Sequence, residues 1–271
     1  MSLRAMVWSV KREIWENRSI YIAPLIVAGV LVLGSILAVH HNLEPGSLRS
    51  HEELVGGVLM GAALLVAIFY CLDALYGERR DRSVLFWKSM PVSDWTAVLS
   101  KFAVPLLVLP VITFAITIVT QAFMLLASSG YLWMHGRSAA ALWGLPWGEM
   151  SGGLLHHLVT VHSLYYAPIF GWLLVVSAWA KRLPFLWAFV PLAAIGIIEK
   201  IVFNTNRFAN LLGSRLSGGM DMPGPKGGGL MLLWPNHPLE FLMAPGLWIG
   251  WAIAAVCIVA AVRLRRYRDP I

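Results

Sequence analysis

Long stretches without charge decide what this chain can fold into. Ile20 to Val39 is a run of 20 residues with no charged side chain. At about 1.5 Å per residue, a helix of that length reaches across the roughly 30 Å hydrocarbon core of a bilayer. Comparable apolar runs, charged only at Asp73, Glu199 and Lys200 near span ends, cover Leu54 to Tyr76, Phe102 to Ala127, Leu154 to Ala180, Leu183 to Phe203 and Phe241 to Val262. Lipid offers backbone N–H and C=O groups no partner, so such runs must satisfy themselves as helices. The expected fold is an all-α polytopic membrane protein. Its six transmembrane helices fall at about 20–39, 54–76, 97–127, 154–180, 183–203 and 241–262, so residues 20–271 form one six-helix transmembrane domain.

Composition agrees. Hydrophobic residues make up 58% of the chain and charged ones 13%, against about 25% charged in soluble domains. The 13 Trp residues suit membrane–water interfaces. The net charge of +7 raises nucleic acid as a partner, but its placement accounts for it otherwise. With six spans, 15 Lys and Arg fall on the side of the termini and 6 on the other. That bias predicts cytoplasmic termini, and no nucleic-acid motif is visible. Cys71 and Cys257 lie inside apolar runs and read as small core residues, neither a disulfide nor a metal site.

Residues 1–19 form the other unit. Leu3, Met6, Val7, Val10 and Ile14 share one helical face, Arg4, Lys11, Arg12 and Glu16 take the other, and Trp8 and Trp15 sit at the border. This is the pattern of an amphipathic helix lying in the interface plane. A cleaved signal peptide fits less well, because the basic region and the apolar run after it are both too long.

One charged interval separates two long apolar runs. It begins at Glu78, Arg79, Arg80, Asp81 and Arg82 and ends at Lys101, and it also holds Leu85, Phe86, Trp87, Met90 and Trp95. A solvated loop needs no such apolar residues. The segment reads as lying at the membrane surface and offering a face to a partner; the plainer reading is a basic loop that only fixes topology. Pro91 ends one element at Met90. Ser93 is placed to cap the next helix, and Asp94 in its first turn suits the helix dipole.

Other polar residues in the spans carry two readings each. Thr113, Thr117, Thr120 and Gln121 form a stripe that either lines a substrate path or hydrogen-bonds helices together, the second being the simpler. Pro105 and Pro110 are expected to kink their helix, and Pro168 to bend its own. Gly56, Gly57 and Gly61 are expected to allow close helix packing. Asp73 is expected to pair with Arg79 or Arg80. Glu199, near a span end, reads as paired or solvated, with a proton relay as the functional alternative. His156, His157 and His162 lack good spacing for one α-helical face and an acidic or cysteine partner, so they read as water-facing and not as a metal site. His51-Glu52-Glu53 lacks the second His of a zinc helix, since position 55 is Val. The intervals 40–53, 128–153 and 204–240 read as outer loops, the last with a Gly-rich centre that lacks the features of a phosphate loop.

The layout resembles the permease subunit of an ABC-2 type ABC transporter. That family has an amphipathic N-terminal helix, six spans and a cytoplasmic loop between spans two and three. In the loop, Glu78, Arg79, Leu85, Pro91, Ser93 and Lys101 match in kind and order an acidic–basic pair, a leucine-containing turn, a Pro-x-Ser and a lysine-bearing helix. The long 128–153 and 204–240 segments depart from the pattern. The resemblance implies docking of a separate ATP-binding cassette subunit on Glu78, Arg79, Arg80, Leu85, Phe86, Trp87, Pro91 and Ser93. It also implies a second permease copy, export, and residence in a bacterial cytoplasmic membrane. ATP and Mg would be held by the partner, this chain binding no cofactor and being no enzyme by itself. Two other classes remain. A secondary transporter or channel would want ionisable groups deep in its spans. An intramembrane enzyme would have to use the histidines with Glu149, and no catalytic motif supports it.

Overall fold

A computed structural model of the chain describes residues 3–39, 45–89, 92–136, 138–144, 147–216 and 243–267. Those residues are almost all helical, with no strand among them. The order is α1 (Leu3–Glu16), α2 (Ser19–Val39), α3 (Pro45–Ala74), α4 (Tyr76–Arg80), α5 (Ser83–Ser89) and α6 (Asp94–Ala103). A π-helical turn, π1 (Val104–Val108), joins α6 to α7 (Leu109–Met134). Then come α8 (Ala140–Trp143), α9 (Trp147–His157), a second π-helical stretch π2 (Leu158–Tyr165) and α10 (Ala167–Trp179). The chain continues through α11 (Pro184–Phe203), α12 (Arg207–Leu216) and α13 (Pro245–Tyr267).

Five of these stretches are long and apolar enough to cross a membrane: Ser19–Leu37, Leu54–Arg80, Asp94–Met134, Pro184–Phe203 and Pro245–Tyr267. Ser151–Tyr165 and Ala167–Trp179, bent by 47°, make a sixth crossing when taken as one span. The bend falls just before Pro168, whose missing N–H removes a rung of the ladder. Pro105 sits inside π1 and Pro110 in the first turn of α7, so the helix changes to the i→i+5 pattern where its prolines lack donors.

Three expected loops contain helix. Residues 45–53 belong to α3, so only the first part of the 40–53 interval lies outside it. The 128–153 interval opens inside α7, where Ser128 and Ser129 are buried. Ser129 Oγ donates to the Leu125 carbonyl four residues back (2.8 Å) and accepts from Trp143 Nε1 (3.2 Å). A hydroxyl satisfied by the preceding turn costs the helix little, so a polar residue there does not end it. In the 204–240 interval, residues 207–216 form α12, held by Glu199. The Gly-rich centre lies outside the described residues.

The main core joins α3, α6, π1, α10 and α13, with Phe170 and Leu174 fully buried at its middle. A second cluster ties α2 to α3 and α7 through Ala28, Val55, Leu59 and Met124. Helix α11 stands apart, with Ala188 its only buried residue. Of the glycines singled out in the sequence, Gly56 and Gly61 are not points of close helix approach. A Cβ on Gly61 would meet nothing within 4 Å, and one on Gly56 would touch only Leu154 at 3.8 Å. On Gly171 of α10 it would sit 3.1 Å from Cys257 Cβ and 3.3 Å from Ala254 Cα of α13. Backbone there cannot yield as a side-chain tip can. Gly171→Val is therefore expected to lower stability by about 1–3 kcal/mol through overpacking, while Gly61→Ala is neutral. Thermal unfolding of the detergent-solubilised chain measures both.

Candidate functional site: a buried charge cluster at one end of the bundle

Helix α1 buries the side that its apolar pattern does not mark. Ser9 and Glu13 are its buried residues, while Leu3, Val7, Trp8 and Trp15 are exposed. Glu13 has no exposed surface at all. Its carboxylate accepts two hydrogen bonds from Lys101 Nζ of α6, at 2.9 and 3.0 Å, and one from the Tyr70 hydroxyl of α3 at 2.9 Å. Lys101 is itself only 2% exposed. A charge buried this deeply costs several kcal/mol unless an opposite charge and further hydrogen bonds meet it, and here each side supplies the other's partner.

The pair is the centre of a larger cluster. Lys101 Nζ also lies 3.1 Å from Glu78 Oε1 of α4. Glu78 receives Arg12 Nη2 of α1 at 3.3 Å and Arg265 Nη2 of α13 at 3.4 Å. Arg265 Nη1 reaches Asp94 at the start of α6 at 2.5 Å. Arg12 Nη2 also binds Glu13 at 2.6 Å, and its guanidinium stacks on Trp87 of α5, 4.0 Å from the ring centroid. The two described ends of the chain, α1 and α13, thus meet on one carboxylate, Glu78.

Burial by itself would raise the Glu13 pKa. The Lys101 ammonium, by charge and by hydrogen bond, and then the Arg12 guanidinium outweigh it and hold the carboxylate below its ordinary value. Arg12 is moved the other way: burial opposes its charge, but Glu13, Glu16 and Glu78 raise its pKa.

The residues expected to dock a partner separate into two sets. Glu78 and Arg79 are buried and used inside the chain. Arg79 Nη1 donates to the carbonyls of Ala178 (2.6 Å) and Ala180 (3.2 Å), closing the C-terminal end of α10 where carbonyls have no intrahelical partner. Beside it, Ser177 Oγ accepts from the N–H groups of Leu75 and Tyr76, at 3.0 and 2.9 Å, where α3 breaks into α4. Arg80 is exposed and paired with Asp81 (2.9 Å), and Asp73 acts on Arg80 through charge. Leu85 and Phe86 on α5 are exposed at 57% and 60%, and Trp87 is half-buried beneath Arg12. Ser93 caps α6 as expected, its Oγ accepting from Thr96 N at 3.2 Å. Pro91 lies outside the described residues.

The threonine stripe faces inward: Thr113, Thr117, Thr120 and Gln121 are all buried. Thr117 and Thr120 donate to the carbonyls of Thr113 and Ile116, at 2.8 and 2.7 Å, so these hydroxyls bond their own helix and not another. Thr113 Oγ1 is buried without a partner. Glu199 is a cap, accepting from Thr205 Oγ1, Arg207 N and Phe208 N, each at 2.7 Å, at the start of α12. His157 and His162 are buried, not water-facing. No group of three or more His, Cys, Asp or Glu able to hold a metal occurs among the described residues.

Comparison with protein-family models, with curated proteins and with solved structures finds no match.

Lys101→Met leaves Glu13 buried opposite an apolar chain. Removing one partner of a buried pair costs about 3–5 kcal/mol; Glu13→Gln with Lys101→Met together is expected to cost less, a difference that a double-mutant cycle in thermal unfolding reads directly. Acid acts on the same pair. A carboxylate whose pKa is depressed in the fold contributes stability that is complete above the ordinary glutamate range and is lost as pH falls through its lowered value. Cleavage of the α1–α2 junction by an acid-active protease, followed against pH, is expected to rise only below that range, and to lose this step in Glu13→Gln.

Proposed function

We propose that the chain is the membrane-spanning permease subunit of an ATP-driven ABC transporter, an exporter of the ABC-2 type with both termini in the cytoplasm. The observation that carries this reading is the exposed Leu85–Phe86 pair on α5, next to a rigid charge cluster at the same end of the bundle. Two neighbouring large apolar side chains on a seven-residue helix have no use in water or against solvated headgroups. They suit a groove on a soluble partner, here a separate ATP-binding cassette subunit that holds ATP and Mg.

The mechanics follow from the connections. A push on α5 reaches Arg12 through Trp87, Glu78 through the α4–α5 joint, and from these two Lys101 and Arg265. Helices α1, α6 and α13 therefore move as one lever. Helix α6 continues through π1 into α7, and that turn is where the lever can flex against the rest of its span. Two copies of the chain, each rocked by an ATP-binding subunit, would alternate access to a path between them. Of the threonine stripe, Thr113 carries the hydroxyl left over for a substrate. Helix α1 lies at the cytoplasmic membrane surface with Arg4, Lys11, Trp8 and Trp15 toward headgroups.

The test uses the exposed pair alone, because changing Glu78 or Arg79 breaks the fold's own contacts. Leu85→Asp with Phe86→Asp is expected to leave the unfolding temperature unchanged and to abolish co-purification of the ATP-binding subunit in mild detergent. A correctly inserted wild-type chain that brings down no such subunit would overturn the reading.

A further inference from the structure

Helix α1 turns opposite faces to different surroundings. Ser9 and Glu13 are buried against the bundle. Across the helix, Arg4, Trp8, Lys11 and Trp15 follow at i, i+4, i+7 and i+11, which places them on one stripe. All four are exposed, the two indoles at 62% and 69%. Leu3 and Val7 are exposed along one edge of it. Basic and aromatic side chains alternate, and Lys11 Nζ sits 5.1 Å from the centre of the Trp8 ring. Two open indoles gain nothing in water. An apolar ring with a polar N–H suits the level where headgroups meet acyl chains.

Helix α1 is held at that level by its connection to α2. Only Asn17 and Arg18 separate the two, and the span of α2 begins at Ser19. The corner is bonded. Asn17 donates to the Glu13 carbonyl through its N–H and its Nδ2, both at 3.0 Å, and its own carbonyl accepts from the Ile20 N–H at 3.1 Å. Helix α1 therefore stays where α2 enters the bilayer, and the exposed Arg18 stands in the corner itself.

Charge selects the lipid. Glu13 of α1 is taken by Lys101 and Arg12. Glu16, the other acid of α1, faces Arg12 at 3.5 Å. Nearby, Glu78 and Asp94 are taken by Lys101, Arg12 and Arg265. Arg4, Lys11 and Arg18 form no ion pair among the described residues. The acids of α1 are spent on its own chain, while three cations face outward.

We infer that the outward stripe of α1 binds anionic phospholipids: Arg4, Lys11 and Arg18 take their phosphates, and Trp8 and Trp15 insert between the headgroups. Helix α1 is then clamped, with Lys101 on one side and lipid on the other. The anionic lipid content of the leaflet sets how firmly Glu13 and Arg12 are held in the charge cluster. This rests on the part of the transport reading that puts α1 at the inner membrane surface, and it needs no partner subunit.

The test follows amide hydrogen exchange of the full-length chain in nanodiscs of phosphatidylcholine alone and of phosphatidylcholine mixed with phosphatidylglycerol. A cation near an anionic surface gains about fivefold in binding, so exchange in α1 is expected to be roughly tenfold slower, or more, with phosphatidylglycerol. About 0.5 M salt is expected to remove most of that difference by screening. Exchange in α13 is expected to be alike in both lipids. Arg4→Gln with Lys11→Gln, both on the exposed face, is expected to lose most of the lipid dependence and to keep the wild-type unfolding temperature in detergent. Equal exchange of α1 in the two lipids, a slowing that salt does not relieve, or one shared equally by α13 would each overturn the inference, and none of these needs a variant. Slowing by a co-purified ATP-binding subunit in both lipids alike would assign the stripe to that subunit and overturn it too. Lipid-dependent protection in a chain that brings down no such subunit keeps the inference and sinks the permease reading. A co-purifying subunit with lipid-independent exchange in α1 does the reverse.

Discussion

Everything at the charged end depends on Glu13 and Lys101 being buried together. Each alone would be a charge in a low-dielectric interior, and each brings a helix that is otherwise weakly anchored at that point. Helix α1 fully buries only Ser9 and Glu13, leaves Leu3, Val7, Trp8 and Trp15 exposed and half-buries Met6, Val10 and Ile14, so apolar burial alone seats it weakly. The ion pair does that, with Tyr70 fixing the carboxylate from a third helix. Such pairs are poor sources of net stability compared with apolar packing, but they are intolerant of misalignment. Their use here is to set position: α1, α4, α6 and α13 can meet only in the register that lets Glu13, Glu78, Lys101 and Arg265 reach one another.

This gives the molecule two mechanically different regions. The charged end is cross-linked by directional bonds, including the Arg79 grip on the last turn of α10. The middle contains both π-helical stretches, the bend before Pro168, and polar side chains without partners. Force applied to the stiff end would be spent in the softer π-helical region. The exposed apolar pair on α5 lies at the stiff end.

The sequence made some of this legible and hid the rest for physical reasons. Spans were readable because lipid forces helices on long apolar runs, and the Ser93 cap and the bend near Pro168 were readable because they are local chemistry. Glu13 was hidden: on α1 the apolar residues point to one face, while the buried face is set by Lys101, 88 residues away. An acid inside a basic helix and a lone cation opening an uncharged run were the only signals. Glu78 and Arg79 stood in a charged segment and read as surface, whereas long-range partners bury them. His156 and His162 looked badly spaced for one α-helical face, and nothing local in the sequence marks the change to π-helical pitch between Leu158 and Tyr165. Glu199 looked like an intramembrane acid because the cap it provides belongs to α12, a helix hidden in an apparent loop.

The cluster has an electrical consequence. Arg12, Lys101 and Arg265 stand against Glu13, Glu78 and Asp94, with the more exposed Glu16 also facing Arg12, so the six inner charges cancel. Moving one elementary charge across a membrane potential of 100 mV takes about 2.3 kcal/mol. Those six charges, displaced together, do no net work against that field.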